Sequence, residues 1–377
     1  MEVKKPHRLI LCTLPTNKCN LRCKYCYISQ MDDWNKSCNE FKYSVETMVR
    51  GFSKERLGGV AIINLTGEGE TLLQPNIVEL IKGLLENGHY IEIVTNGTVS
   101  KRIKELTEFP DDDAARIEYK ISFHYEEMNR LGIMDNFWEN VDRIRNSRSS
   151  FSLELMPNDE LESEIDDVIK ICTEKVGDKC HLTIGRKDTS ISRGILTEHS
   201  EQEYFDIWSK FDSTMFQVKK ELVNVRRKEF CYAGAWSLCV DLATGEARQC
   251  YGQPVIQNVF QNLDEKIKFI PVGYGCVQPY CINGHAFLAW GCIPELDIPT
   301  YDKIRDRECE AGKSWLKPEW KAFSRYKLVE TNKEYTRCQK LLNTIQKPLI
   351  FIYGFVYNPA VIINNLKKIL RKIRKSI

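Results

Sequence analysis

Three cysteines in one short run are the residues best suited to chemistry in this sequence of 377 residues. Cys19, Cys23 and Cys26 have the spacing C-x3-C-x2-C and follow a short apolar run. Three thiolates can hold three irons of a four-iron cluster, whereas an ordinary electron-transfer cluster takes four cysteines. The fourth iron then keeps an open position, as catalytic metal sites do. Zinc is the alternative, but it needs a fourth ligand, for which Cys12 and Cys38 are the nearby candidates.

A second group of cysteines lies in a stretch rich in Gly, Pro and aromatic residues. The chain has 15 cysteines, and seven of them belong to this group: Cys231, Cys239, Cys250, Cys276, Cys281, Cys292 and Cys309. The first residues carry no apolar segment or cleavage site of a secretory signal. We therefore expect a reducing, cytoplasmic setting with few disulfides. Metal binding or redox chemistry is the use that remains for so many thiols.

The overall composition is that of an ordinary globular protein, with 42% hydrophobic and 28% charged residues. Lys and Arg number 54 against 52 Asp and Glu, which gives a net charge of +2. This balance excludes a whole-chain polycation built for nucleic acid, so we expect no nucleic-acid partner.

The elements that must position the cysteines alternate between strand and helix patterns. Short apolar runs typical of buried strands begin near residues 8, 60, 90, 117, 151 and 181, and helical patterns such as 45–57 and 160–176 lie between them. This alternation predicts βα units on a parallel sheet. It stops near residue 200, so we predict three parts: residues 1–210, residues 211–330 and a tail, 331–377.

The tail ends in a basic amphipathic pattern. An apolar run over 347–365 is interrupted by Gly354 and Pro359, so it is too short and broken to span a bilayer. Six Lys and Arg then surround a helical face formed by Ile362, Leu366, Ile369, Leu370 and Ile373. Such a helix can lie on an anionic membrane surface. A C-terminal helix docked on the protein, with its basic face in solvent, is the alternative.

The cysteine run and two loops resemble those of the radical S-adenosylmethionine (SAM) superfamily. Tyr25 stands just before the third cysteine, as in that family's signature. Residues 66–71, TGEGET, resemble the family's Gly-x-Gly-Glu-Pro loop, which meets the methionine amino group of SAM, although Thr71 replaces Pro. Residues 95–98, TNGT, match its Thr-Asn-Gly turn near the adenosine. Ser122 and His124 lie where the family often has ribose or carboxylate contacts.

The resemblance implies an α/β fold, with a partial (β/α)6 radical SAM barrel over residues 1–210. It implies a [4Fe-4S] cluster on Cys19, Cys23 and Cys26. The SAM-binding residues that it implies are Gly67, Gly69, Glu70, Thr95, Asn96, Gly97 and Ser122.

The second cysteine group resembles the SPASM and twitch domains, which bind auxiliary iron–sulfur clusters in some radical SAM enzymes. Cys231 to Cys250 follows C-x13-G-x4-C, like the opening of those domains, but the later spacings depart from the SPASM pattern. Seven cysteines can hold two auxiliary [4Fe-4S] clusters. Alternatively, four of them hold one cluster of the twitch type: Cys231, Cys250, Cys276 and Cys281. A zinc-stabilised module is the remaining interpretation.

The resemblance also implies a reaction. A 5′-deoxyadenosyl radical, formed by reductive cleavage of SAM, takes a hydrogen atom from an unactivated C–H bond of the substrate. An external electron donor of the flavodoxin or ferredoxin type is implied as a partner. Auxiliary clusters favour an oxidation, and epimerisation with a thiol as hydrogen donor is the alternative.

The sequence does not specify the substrate. We expect a small molecule, sugar or glycoconjugate, in the cytoplasm, with peripheral membrane contact through the tail as a hypothesis. A peptide-modifying maturase of the SPASM type is the alternative. From another class, the alternative is a non-catalytic zinc or iron–sulfur protein.

Overall fold

The structure is a computed structural model that describes residues 4–16, 18–34, 40–309 and 312–357. In these ranges nine strands form one sheet in the order β6-β5-β4-β3-β2-β1-β7-β8-β9. The strands are β1 Arg8–Leu14, β2 Ala61–Gly67, β3 Tyr90–Thr95, β4 Ile117–Phe123, β5 Ser150–Leu155, β6 His181–Leu182, β7 Ser237–Asp241, β8 Glu246–Arg248 and β9 Val255–Asn258.

The first six strands are parallel and follow one another across the sheet, with β6 at its edge. This confirms the predicted α/β fold with six βα units in a partial, unclosed barrel. Parallel strands place their carboxyl ends at the same side of the sheet, where α/β proteins bind their ligands. The loops after β1, β2 and β3 are therefore neighbours.

Helices cover the sheet and fill the second half of the chain. They are α1 Tyr27–Met31, α2 Val45–Gly51, α3 Lys54–Leu57, α4 Ile77–Glu86, α5 Ser100–Thr107, α6 Asp111–Ala114, α7 Tyr125–Leu131, α8 Met134–Asn146, α9 Ile165–Val176, α10 Glu201–Trp208, α11 Thr214–Leu222, α12 Gly284–Phe287, α13 Tyr301–Arg305, α14 Pro318–Ser324 and α15 Arg337–Tyr357.

Two of the predicted helices differ from those observed. The single helix expected over 45–57 is two helices, α2 and α3, because the Ser53 side chain accepts a hydrogen bond from the Arg56 N–H and caps a new helix. The helix expected over 160–176 begins with a 3-10 segment, Asp159–Glu164, and becomes an α-helix at Ile165.

The cysteine-rich segment continues the same sheet. β7 pairs in parallel with β1, on the side opposite β2, and β8 and β9 add antiparallel strands. β1 therefore has a strand on each side, and both of its faces are packed. Ile10 and Cys12 belong to one apolar core, whereas Leu9 and Leu11 belong to a second core that includes Trp290. The domain boundary predicted near residue 210 stays a prediction.

The chain described here ends in α15. None of the helices in the described ranges has the length and apolar character needed to cross a membrane. The basic amphipathic helix predicted from residue 362 onward lies outside the described residues, as does Cys38.

Candidate active site

The loop after β1 carries the first three cysteines in a compact turn. The Cys26 N–H and the Ser29 hydroxyl both donate to the Cys23 carbonyl, at 3.2 and 2.8 Å. The Cys19 sulfur accepts hydrogen bonds from the Leu21 N–H at 3.4 Å and from the Asn96 side-chain amide at 3.8 Å. Backbone and side-chain donors therefore hold the thiols in place next to the loop after β3.

The loop after β2 is docked directly onto the cysteine loop. The Gly69 N–H donates to the Thr16 carbonyl, and the Glu70 N–H donates to the Lys18 carbonyl, both at 2.9 Å. Two main-chain bonds thus join the predicted SAM loop to the predicted cluster loop.

Glu70 ties the same loop to the turn after β3. Its carboxylate is 2% exposed and accepts bonds from the Thr95 hydroxyl at 2.7 Å, the Asn96 N–H at 2.7 Å and the Leu72 N–H at 2.9 Å. Burial raises the pKa of Glu70, and these hydrogen bonds oppose the rise. The Glu70 side chain therefore connects the loop after β2 to the turn after β3.

Thr71, where the family pattern has proline, closes the loop by a different bond. Its hydroxyl accepts a hydrogen bond from the Gly67 N–H at 3.0 Å. Proline fixes a turn through its own ring, whereas here a buried hydroxyl fixes the turn by bonding across it.

Asn96 and Gly97 form the turn after β3. The Asn96 amide also donates to the Asn20 side chain at 2.9 Å, which in turn donates to the Thr98 hydroxyl at 2.7 Å. Gly97 has a φ of +73°, and a Cβ there would lie 2.9 Å from the Phe137 ring. Only glycine meets both constraints without strain.

Tyr25 and His124 connect the cysteine loop to the end of β4. The Tyr25 hydroxyl lies 2.8 Å from Nδ1 of His124, and the two rings are stacked. Burial lowers the pKa of His124 to about 4, so its ring is neutral at physiological pH. Ser122 lies half-buried on β4, two residues earlier.

A cavity of about 700 Å³ opens at the carboxyl ends of the strands. Its wall includes the end of β2 at Gly67 and Glu68, and three cysteines of the second group: Cys239, Cys250 and Cys281. Gly67 is the one predicted SAM-binding residue that lines it, whereas Glu70, Thr95 and Asn96 are buried and are not part of its lining.

The sequence profile of the radical SAM superfamily matches residues 13–172, the part of the chain that holds the cysteine loop and the two loops bonded to it. The chain therefore contains a radical SAM domain. Enzymes of this superfamily use a [4Fe-4S] cluster and SAM.

Two curated proteins that the chain resembles are GTP 3′,8-cyclases of Clostridium perfringens. The enzyme of strain 13 is 26% identical over 167 residues, which are 42% of this chain and 50% of the relative. That of strain SM101 is 28% identical over 135 residues, 34% of this chain and 40% of the relative. The chain thus spans half or less of the length of these relatives.

Solved structures of radical SAM enzymes also resemble the chain. Native anSMEcpe with bound AdoMet is 16% identical and has a TM-score of 0.49, covering 96% of this chain and 100% of its own. Streptococcus suis SuiB bound to S-adenosylmethionine is 14% identical with a TM-score of 0.48, covering 69% of this chain and 65% of its own. The family assignment depends on residues 13–172, not on these structures.

The radical SAM cysteines fit an iron–sulfur cluster better than zinc. Burial raises the pKa of Cys19 to about 11 and raises those of Cys23 and Cys26, so the thiols keep their protons unless a metal takes the place of those protons. Sulfurs on one tetrahedral zinc lie about 3.8 Å apart. In the described ranges, the one group of three potential ligands within 4.8 Å of one another contains no cysteine. At least two of the sulfurs of Cys19, Cys23 and Cys26 are therefore more than 4.8 Å apart, which leaves room for a cluster of several metals.

Four cysteines of the second group form a mutually interacting set. Burial raises the pKa of Cys250 far above its ordinary value, and the thiols of Cys239, Cys231, Cys281 and Cys276 raise it further, in that order. Burial, Cys231 and Cys276 raise the pKa of Cys281. Burial and Cys276 raise the pKa of Cys231 to about 12. Every pair among the four is therefore close enough for its thiols to interact electrostatically.

The other three cysteines of this group have different surroundings. Cys239 and Cys292 are buried next to the set of four and interact with its members. Cys309 lies at the end of α9 instead, where its sulfur donates to the Val176 carbonyl at 3.1 Å. Cys309 therefore lies apart from the set of four cysteines.

A group of charged residues that was not predicted from the sequence lies in the interior of the barrel. Glu92, Lys120, Glu118 and Glu154 are charges within the apolar runs of β3, β4 and β5, and that pattern is the signal that could have found them. Arg305 pairs with Glu154, and the Tyr301 hydroxyl donates to Glu118 at 2.7 Å. Residues far apart in sequence thus form one buried ionic network.

Lys219 of α11 lies between this network and the cavity. Its Nζ donates to the Thr183 hydroxyl, and its side chain lines the cavity. Burial lowers its pKa to about 7. The charged groups that act on it are Glu154, Arg186, Arg305 and Lys120. No pattern in the sequence distinguishes Lys219 from other lysines, because its neighbours come from distant parts of the chain.

Proposed function

We propose that the protein is a radical SAM enzyme that oxidises a small polar molecule, such as a sugar or glycoconjugate. The three cysteines after β1 would hold the [4Fe-4S] cluster, and the loops after β2 and β3 would hold SAM beside it. The observation that carries the proposal is the cavity, because its wall contains both Gly67 of the predicted SAM loop and Cys250 and Cys281 of the second cysteine group. A substrate bound there would lie between the radical source and an auxiliary metal centre.

The set of four cysteines supports one auxiliary cluster of the twitch type, one of the two alternatives predicted from the sequence. Cys231, Cys250, Cys276 and Cys281 would be its ligands. Their thiols are close enough to interact in every pair, and metal binding replaces the protons that burial would otherwise retain.

The cavity lining supports a polar substrate. It carries four cationic and four acidic side chains: Arg186, Arg193, Lys219, Arg248, Asp33, Glu68, Asp188 and Asp241. A lining that carries both signs of charge suits a substrate with hydroxyl groups, because hydroxyl groups can hydrogen-bond to cationic and to acidic side chains. The volume of about 700 Å³ is within the range of small-molecule sites.

Lys219 would accept the proton that an alcohol oxidation releases. When bound, SAM and its cluster supply a 5′-deoxyadenosyl radical that takes a hydrogen atom from a substrate carbon, and an auxiliary cluster supplies an acceptor for one electron. The hydroxyl proton must then go to the protein. The Lys219 amine lines the cavity, and its pKa of about 7 leaves it neutral above that pH.

Epimerisation is the second candidate, and Cys239 favours it. This thiol lines the cavity, lies outside the proposed set of four ligands, and keeps its S–H because burial raises its pKa to about 12. A substrate radical could take that hydrogen atom on the opposite face of the carbon. The sulfur would regain the thiol with one electron from the external reductant and one proton from water.

The partners remain part of the proposal. An external donor of the flavodoxin or ferredoxin type would supply the electron for cleavage of SAM. The site would operate in the cytoplasm, with membrane contact through the C-terminal region. Peptide maturation stays an alternative without a specific observation in its favour.

The formation of 5′-deoxyadenosine tests the proposal. Anaerobically reconstituted protein, reduced with dithionite and given SAM, should form it slowly, and an accepted substrate should increase the rate. A panel of free, phosphorylated and nucleotide-linked sugars should stimulate the rate more than a panel of short peptides. Stimulation by the peptides alone would contradict the substrate class, and absence of the product under all conditions would contradict the activity. Deuterium from D2O in the recovered substrate would identify epimerisation.

A further inference from the structure

α15 carries a continuous row of apolar side chains on its solvent face. Each is between 56% and 74% exposed: Leu341, Leu342, Ile345, Leu349, Ile352 and Val356. At about 100° per residue these six positions lie within about 100° of the helix circumference. We call this set the apolar stripe. Large apolar side chains exposed in one contiguous row mark an interaction surface.

The opposite face of α15 is fixed to the cysteine-rich segment. The Asn343 amide donates to the Pro271 carbonyl at 3.2 Å, and Lys347 donates to the carbonyls of Tyr274 and Gly275 at 2.7 and 2.9 Å. Lys340 pairs with Glu295 at 3.4 Å on the same side. The helix is therefore held by its polar face, and the apolar stripe points away from the described protein.

The charge of this part of the chain determines which partner suits the stripe. From Arg337 to Ile377 the sequence contains nine Lys and Arg and no Asp or Glu. A second copy of the chain would bring two such sets of positive charge together, which is unfavourable. A surface of anionic lipids offers both an apolar layer for the stripe and negative charge for the lysines and arginines.

We propose that the apolar stripe of α15 inserts into the headgroup–acyl boundary of an anionic membrane. The helix lies on the surface and does not cross it, since its anchored polar face must stay with the protein. The inserting residues lie before the basic tail predicted from the sequence, and that tail contributes six of the nine positive charges. The proposal does not depend on the reaction at the cavity.

Vesicle flotation of the full chain tests this proposal. The wild type should float with vesicles of phosphatidylcholine mixed with phosphatidylglycerol, and less with phosphatidylcholine alone. Ile345→Asn with Leu349→Asn leaves the net charge unchanged and should weaken binding to the mixed vesicles roughly tenfold or more, because two inserted side chains are lost. The matched control is Thr344→Asn with Gln346→Asn, at two exposed positions beside the stripe. It should bind within about twofold of wild type.

Basal SAM cleavage and circular dichroism verify that both double variants are folded. The proposal is overturned if the folded wild type does not bind the mixed vesicles, or if the stripe variant binds them as well as the control does. A dimer in solution that the stripe variant abolishes, without vesicle binding by the wild type, would also overturn it and would identify a second copy as the partner.

Discussion

The two cysteine groups differ in how far apart their members lie in the sequence. Cys19 and Cys26 are 7 positions apart and belong to one loop between β1 and α1. Cys231 and Cys281 are 50 positions apart, and β7, β8 and β9 lie between them. The first group is shaped by local turns, whereas the second exists only when distant segments pack together. The first should therefore bind its cluster independently of the second.

The largest effect is expected from removal of the first group. Cys19→Ala, Cys23→Ala and Cys26→Ala together should abolish 5′-deoxyadenosine formation and remove about four irons per chain. The iron held by the second group should remain. Cys338→Ala, at an exposed thiol outside both groups, is the control and should change neither quantity. Continued cleavage of SAM by the triple variant would contradict the assignment.

Removal of the second group should abolish substrate oxidation while SAM cleavage continues. Cys250→Ala with Cys281→Ala should lose the auxiliary iron and the oxidation of substrate, yet retain slow SAM cleavage in the absence of substrate. Cys309→Ala should keep all of the iron, because that thiol lies at the end of α9. Loss of iron in the Cys309 variant, measured by iron and sulfide quantification, would reject the set of four ligands.

The pH dependence of substrate oxidation tests the role of Lys219. Its pKa of about 7 is lower than the ordinary value, so the amine is protonated below pH 7 and can accept a proton above it. The rate should therefore rise with pH through about 7. Lys219→Met should lower the rate roughly 100-fold and remove this rise. Lys220→Met, one position along α11 and outside the cavity lining, is the control. A similar pH profile in wild type and the Lys219 variant would exclude the role.

A smaller effect is expected from the carboxylate that joins the loops. Glu70→Gln loses charge-assisted hydrogen bonds of about 1.5–3 kcal/mol, which should weaken SAM binding roughly 10- to 100-fold. Thr95→Val removes one of the three donors and should weaken it less. Equilibrium dialysis with SAM measures both variants. Equal affinity in Glu70→Gln and wild type would show that the loops keep their arrangement without this carboxylate.

The sequence predicted the features that depend on neighbouring residues. The strands of the barrel follow from their apolar runs, and the first cysteine loop follows from its spacing. The pairing of β7 with β1 could not be predicted, because it joins segments more than 200 positions apart. The grouping of Cys231 with Cys276, the separate position of Cys309 and the surroundings of Lys219 have the same origin. Each is set by tertiary packing and not by any local pattern.

The electron paramagnetic resonance spectrum of the variant Cys250→Ala with Cys281→Ala tests the central claim most directly, since the first cysteine group would hold the only cluster left in it. After reduction with dithionite we predict the signal of a reduced [4Fe-4S] cluster, with g values that change when SAM is added, because SAM occupies the open iron. A signal that SAM leaves unchanged, or bound zinc without a cluster signal, would contradict the account.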